Sequence, residues 1–292
     1  MLNGLWVMKR FWRAVQCAVL GLGLWAAQAQ ANCLGHAQPL QRYTFDVVPQ
    51  FPAAKIYATW APLLERVGQA AQVCFELRIA ASIPEFEQVL WQGHAQWAYA
   101  NPYHAVIAHK RHRYVPLLAD GKEKLSGILV VPKEGGATTI DALRGQQVAF
   151  PAPNAFAASL LIRAELARKH IDITPVFVKT HGNVYRSVIA RDMPAGGGVN
   201  NTLASESKEV QAQLRVLYET QSYTPHPVLA HPSIPAPWRQ RVSAAFLALS
   251  KDEAGQRLLE GVNIDQPIPV TYERHYQALE ALKLDKFLVL GN

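Results

Sequence analysis

The stretch that most restricts what this chain can become runs from Gln147 to Asn200. An apolar run at 148–150 is followed by a Pro/Asn turn, a helical pattern over 156–170 and a second apolar run at 176–178. A polar break at Thr180-His181-Gly182-Asn183, another helical pattern and the segment Ala195-Gly196-Gly197-Gly198-Val199 complete it. A hydrophobic period that switches between about two and 3.6 is that of a β-α-β-α-β unit. Such units build parallel sheets, and ligands gather where strand carboxyl ends meet helix amino ends. The two polar breaks, Pro153-Asn154-Ala155 and Thr180-His181-Gly182-Asn183, fall at that edge. Each precedes a helix whose first N–H groups lack partners and attract anions. The pattern predicts one anion-friendly cleft.

The first 31 residues read as an export signal. Lys9, Arg10 and Arg13 precede an uncharged apolar run at 14–27, and Ala29-Gln30-Ala31 supplies a small-x-small cleavage site. Cleavage near Ala31 places the mature protein in the periplasm, and no later run is long enough to span a bilayer. Met8 is a second possible start. Loss of the three basic residues lowers the formal charge from +7 to +4. Charge that low and that dispersed suits a small anionic ligand and argues against nucleic acid. Cys33 and Cys74 remain, either as a disulfide tying the N-terminus to the sheet or as two buried thiols.

A mature length of 261 residues exceeds one usual α/β domain and predicts two lobes. Residues 32–132 and 226–292 are assigned to the first, residues 133–225 to the second, with breaks at Lys133-Glu134-Gly135-Gly136 and Tyr223-Thr224-Pro225-His226-Pro227 as crossings. In the first lobe, Tyr57, Trp60, Leu63, Leu64 and Val67 recur at helical spacing as a buried stripe. Asn101-Pro102-Tyr103 follows a strand and opens a helix, so Tyr103 either projects into the cleft or packs in the core. Asn183, and Asn200 with Asn201, are donors for a ligand or else helix caps. No nucleophile elbow, metalloprotease helix, P-loop or Cys-x-x-Cys occurs, which argues against an enzyme. No residue set suggests a cofactor or a metal.

The order Val48-Pro49-Gln50-Phe51-Pro52-Ala53, Ala100-Asn101-Pro102-Tyr103, LRGQQVAFPAP (143–153), THGNVYRSVI (180–189) and AGGGV (195–199) resembles the phosphate/phosphite/phosphonate ABC-transporter substrate-binding family, a branch of the type II periplasmic binding proteins. The resemblance implies a two-lobe α/β fold, each lobe a mostly parallel sheet flanked by helices, joined by two crossings and closing on a ligand by hinge motion. It matches Tyr103 to the family's cleft tyrosine and His181 to its second-lobe histidine. The hydroxyl-rich anion cradle of the family falls on residues 151–159, where this chain keeps only Asn154, Ser159 and backbone N–H groups. Phe51, Phe156 and Tyr185 would make the rest of the pocket aromatic, which suits a larger or less charged organic ligand. The expected site is therefore Phe51, Tyr103, Asn154, Phe156, Ser159, His181, Asn183, Tyr185 and Asn200. The implied protein is a monomer that captures a small anionic or zwitterionic ligand for an ABC-transporter permease; a ligand-sensing subunit for a membrane sensor kinase is the alternative.

Overall fold

The computed structural model describes residues 33–289. Two sheets flanked by helices make up the structure. The larger contains β1 (Leu34–Gly35), β2 (Gln41–Val47), β3 (Val73–Ile79), β4 (Trp97–Tyr99), β5 (Val115–Asp120), β11 (Val228–Ala230) and β12 (Pro267–Pro269), in the order β1-β3-β2-β4-β11-β5-β12. The smaller contains β6 (Gly127–Pro132), β7 (Gln147–Phe150), β8 (Thr174–Phe177), β9 (Gly196–Val199) and β10 (Leu214–Glu219), in the order β10-β6-β9-β7-β8.

Parallel pairing is confined to β2 with β3 and β4, and to β7 with β8 and β9. The other neighbours are antiparallel, four of these pairs because β6 and β11 are each entered by a chain arriving from the opposite sheet. The sheets are thus mixed. β6 also relocates the first crossing. It pairs with β9 and β10 in the smaller sheet, so the chain passes between lobes at 121–126 and returns at 220–227. The two crossings are stitched by reciprocal backbone bonds of 2.9 Å between Leu125 and Tyr223. The break at 133–136 lies at the other end of β6, where Lys133 N–H donates to Gln213 C=O.

The core helix α1 (Ala53–Ala71) follows Pro52 and stops where Gln72 turns left-handed. Ile56, Trp60, Leu63, Leu64 and Val67 form its buried stripe, each stabilising by about 1.5–3 kcal/mol when fully covered. Tyr57, expected in that stripe, is 56% exposed, and Ile56 takes its place one position earlier. Then come α2 (Ile83–Trp91), α3 (Pro102–His112), α4 (Ile162–Arg168), α5 (His181–Ile189), α6 (Asn200–Ala204), α7 (Lys208–Ala212), α8 (Ala236–Leu249), α9 (Glu253–Glu260) and α10 (Tyr272–His275). A π-helical turn, Phe156–Leu161, leads into α4. Cys33 and Cys74 are both disulfide-bonded.

The glycines of β9 let the smaller lobe pack this tightly. A Cβ on Gly197 would stand 2.2 Å from the carbonyl oxygen of Ala158, and one on Gly198 2.4 Å from the Tyr185 hydroxyl. The close approach is by the π-turn and by α5, so these glycines serve packing behind the cleft wall.

Candidate functional site

The expected cleft edge is where the two lobes meet. The π-turn belongs to the smaller lobe, yet Phe156, Ala157 and Ala158 join the largest apolar cluster, which centres on the larger lobe. The Phe156 ring lies parallel to Tyr103 at 6.2 Å and edge-on to Tyr223 at 5.5 Å. Lobe contact is therefore apolar at the position where the family resemblance places hydroxyls.

Beside it lies a buried pocket. Val48, Gln50, Ile83, Asn101 and His226 face it from the larger lobe and the return crossing; Ala155–Ala158, His181 and Val199 face it from the smaller lobe. Ala155–Ala158 line this space at the start of the π-turn, where the first N–H groups have no carbonyl four or five residues back within the turn. The pocket volume is about 10 Å³, near the lower limit for one water. Two wider openings adjoin it. One, of about 280 Å³, shares Val48 and Gln50 and adds Phe51, Lys55, Trp60, Tyr99 and residues 260–263. The other, of about 350 Å³, lies beside the crossings and includes Asn200, Asn201, Asp120 and Asp265.

Each polar group around the pocket has a defined position. Asn101 caps α3, its Oδ1 accepting from His104 N–H at 2.7 Å, while its Nδ2 donates to the Asn154 carbonyl at 3.2 Å across the lobe boundary. His104 Nε2 pairs with Glu87 at 2.9 Å, and both side chains are buried. Thr180 caps α5 by accepting from Asn183 N–H, which places His181 in the first turn with its Nδ1 3.3 Å from the Thr202 hydroxyl. Burial pushes the His181 imidazole down to about 4. Burial, reinforced by the neighbouring His104 and His181, pushes His226 down to about 3. His226 stacks on Tyr99 at 5.4 Å, and its buried Nδ1 has no hydrogen-bond partner among the described residues. Both imidazoles are neutral at neutral pH.

Of the residues expected from sequence, Phe156 and His181 line the pocket, and Phe51 lines the adjoining opening with the Lys55 ammonium 4.1 Å above its ring. Tyr103 and Asn154 lie in the lobe contact behind it. The Tyr103 hydroxyl donates to Asp285, and the Asn154 amide is shared between Glu87 and the backbone of Val289. The remaining four are used elsewhere. Ser159 bonds Pro153 C=O and accepts from Arg163. Asn183 donates its side chain to Val178 C=O. Tyr185 is buried against Thr202 behind β9. Asn200 bonds Lys124 C=O and Ser126 N–H, bracing the first crossing. Sequence reading missed Gln50, Asn101 and His226 as pocket residues, although Gln50 and Asn101 stand inside quoted motifs and His226 inside the Pro-flanked crossing.

This arrangement brings an imidazole from each side of the lobe boundary to one pocket. The family described as ABC transporter, phosphonate, periplasmic substrate-binding protein matches residues 45–276. The chain belongs to that family.

Several solved structures share its fold. A Prochlorococcus marinus PhnD1 in complex with methylphosphonate superposes with a TM-score of 0.75 at 12% identity, covering 84% of this chain and 98% of that one. A binding-protein component of a phosphonate ABC transporter from Pseudomonas aeruginosa gives 0.74 at 12% identity, covering 84% and 86%. A Xanthomonas citri protein bound to chloride gives 0.66 at 16% identity, covering 84% and 98%. Among curated proteins, none matches the sequence. At these identities the likeness is one of fold: a type II periplasmic binding protein with two lobes.

Proposed function

We propose that this periplasmic binding protein captures a small anionic or zwitterionic organic ligand, either a phosphonate- or phosphite-like oxyanion or a related organic acid, between its lobes and delivers it to an ABC-transporter permease. The observation that carries the reading is the pocket in which Asn101 and His226 meet His181 and the start of the π-turn, residues 155–158, from the other lobe. A ligand held by donors from both lobes binds the closed form better than the open one and shifts the hinge equilibrium accordingly.

The donor set also bears on the kind of ligand. Each hydrogen bond to a charged group contributes about 1.5–3 kcal/mol, and a buried dianion requires most of its lone pairs met. Two neutral imidazoles and one turn of backbone N–H suit a single oxyanion end. The neighbouring opening around Phe51, Lys55 and Trp60 supplies aromatic surface for an organic substituent. In this reading His181 and Phe156 touch the ligand, Phe51 borders its organic part, and Tyr103 and Asn154 hold the wall. Ser159, Asn183, Tyr185 and Asn200 act through the backbone they fix.

A thermal-shift panel of phosphate, phosphite, alkyl- and aminophosphonates, sulfonates, small carboxylates and amino acids tests it. A ligand at 100 times its dissociation constant adds about 2.7 kcal/mol, a rise of a few degrees. We expect a phosphonate, phosphite or organic acid to give that rise. No shift with any anion in the panel would contradict the proposal.

A further inference from the structure

The last described segment, a 3-10 turn at 284–287 followed by Leu288 and Val289, ties the two lobes together. Leu284 is fully buried, the turn before it at 277–282 packs on α3 of the larger lobe, and Leu282, Phe287 and Leu288 join the apolar cluster that both lobes share. Asp285 accepts from the Tyr103 hydroxyl at 3.2 Å on α3. The chain then reaches the smaller lobe. Arg163 Nη2 donates to Phe287 C=O at 2.9 Å while its guanidinium lies 5.7 Å from the Phe287 ring. Val289 N–H donates to Asn154 Oδ1 at 2.9 Å, and Asn154 Nδ2 returns a bond to Val289 C=O at 2.8 Å. The side-chain amide is thereby paired as a neighbouring strand would pair it.

The position of Asn154 gives this pairing its consequence. It ends the turn between β7 and the π-turn, whose first residues line the pocket. That turn is gripped from the larger lobe on two further sides, by Glu87 on the Asn154 amide and by Asn101 on its carbonyl. Separation of the lobes therefore breaks the strap bonds together with these. The pocket enclosed by this arrangement measures about 10 Å³, too small for any organic anion.

We propose that residues 284–289 are an intramolecular latch, with Asn154 and Arg163 as its catch, that holds the lobes in a closed form from which ligand is excluded. A latch that stabilises a form without affinity for ligand lowers the apparent affinity by the fraction of molecules it holds closed. The affinity consequence rests on the interlobe cleft being the ligand site; the closure consequence does not.

Two variants of the full exported chain test the latch: a truncation after Asp285, which retains the buried Leu284, and the point change Phe287→Ala. Small-angle scattering without ligand is expected to show a larger radius of gyration for each than for the parent, with an unchanged far-ultraviolet circular dichroism spectrum. Methylphosphonate, as the probe, should bind each roughly tenfold tighter than the parent. If the truncated chain fails to fold, Phe287→Ala decides alone. Scattering curves that superpose on the parent's overturn the proposal. If no version binds methylphosphonate, the ligand reading falls, and the scattering still decides the latch.

Discussion

Moving the folded protein from neutral pH to about pH 5 should lower its stability by about 4 kcal/mol, through two histidines. His181 and His226 are buried, and their folded values, about 4 and about 3, lie below the unfolded value of 6.5. Between those limits the unfolded chain binds more protons than the native one. The stability from keeping each ring neutral is complete above about pH 6.5 and is lost as pH falls toward the folded values. At about pH 5 the gap from 6.5 is about 1.5 pH units, or about 2 kcal/mol per ring at 1.36 kcal/mol per unit. Thermal denaturation across this range should show the loss as a melting temperature lower by about 10 °C. His226→Gln, which cannot titrate, should remove about half of the pH dependence. A melting temperature flat from neutrality to pH 5 would rule out neutral buried imidazoles at these positions.

Gly197→Ala should destabilise by about 4 kcal/mol or more, beyond the 1–3 kcal/mol usual for overpacking. The added methyl would sit 2.2 Å from a backbone carbonyl and 2.5 Å from two atoms of the Phe150 ring. Neither can retreat: Phe150 is fully buried in β7, and the carbonyl belongs to the π-turn wedged between the lobes. Gly261→Ala is the control, since its Cβ would meet nothing closer than 3.4 Å and its backbone is not left-handed. Denaturant unfolding of the two variants should differ by at least about 3 kcal/mol. Equal stabilities would mean that the smaller lobe relaxes around β9 more readily than its packing implies.

The parts of this structure that were legible in the sequence are those fixed by local periodicity. The strand at 147–150, the neighbouring strand near 176 and the helical character of 156–168 follow from short-range pattern, whereas the cap before His181 is Thr180 and not Asn183, the candidate the pattern offered. The pattern puts residues 156–158 and His181 at one edge without knowledge of the other lobe. What was misplaced depends on distant contacts. The crossing was expected at Lys133-Glu134-Gly135-Gly136, whose glycines are the stronger turn signal. The chain crosses instead through 121–126, where buried Asp120 accepts backbone N–H bonds from Glu123 and Gln266. Asn200 carries the signature of a ligand donor, and the hinge uses both ends of its amide. Tyr185 is aromatic on a helix beside the cleft, but helical phase turns it behind β9 to meet Thr202. Glu87 and His226, each remote in sequence from the motifs, reach the site only through tertiary packing.

The lobes of this phosphonate-family binding protein are proposed to take up an anion at the pocket lined by His181. Calorimetric titration of methylphosphonate into the exported chain and its His181→Ala variant, in one buffer near neutral pH, tests it most directly. One site per chain is expected in the parent, with a dissociation constant weakened at least tenfold by the substitution, about 1.4 kcal/mol, and the fold intact. The same dissociation constant in both proteins, or no binding by a folded parent, would contradict it.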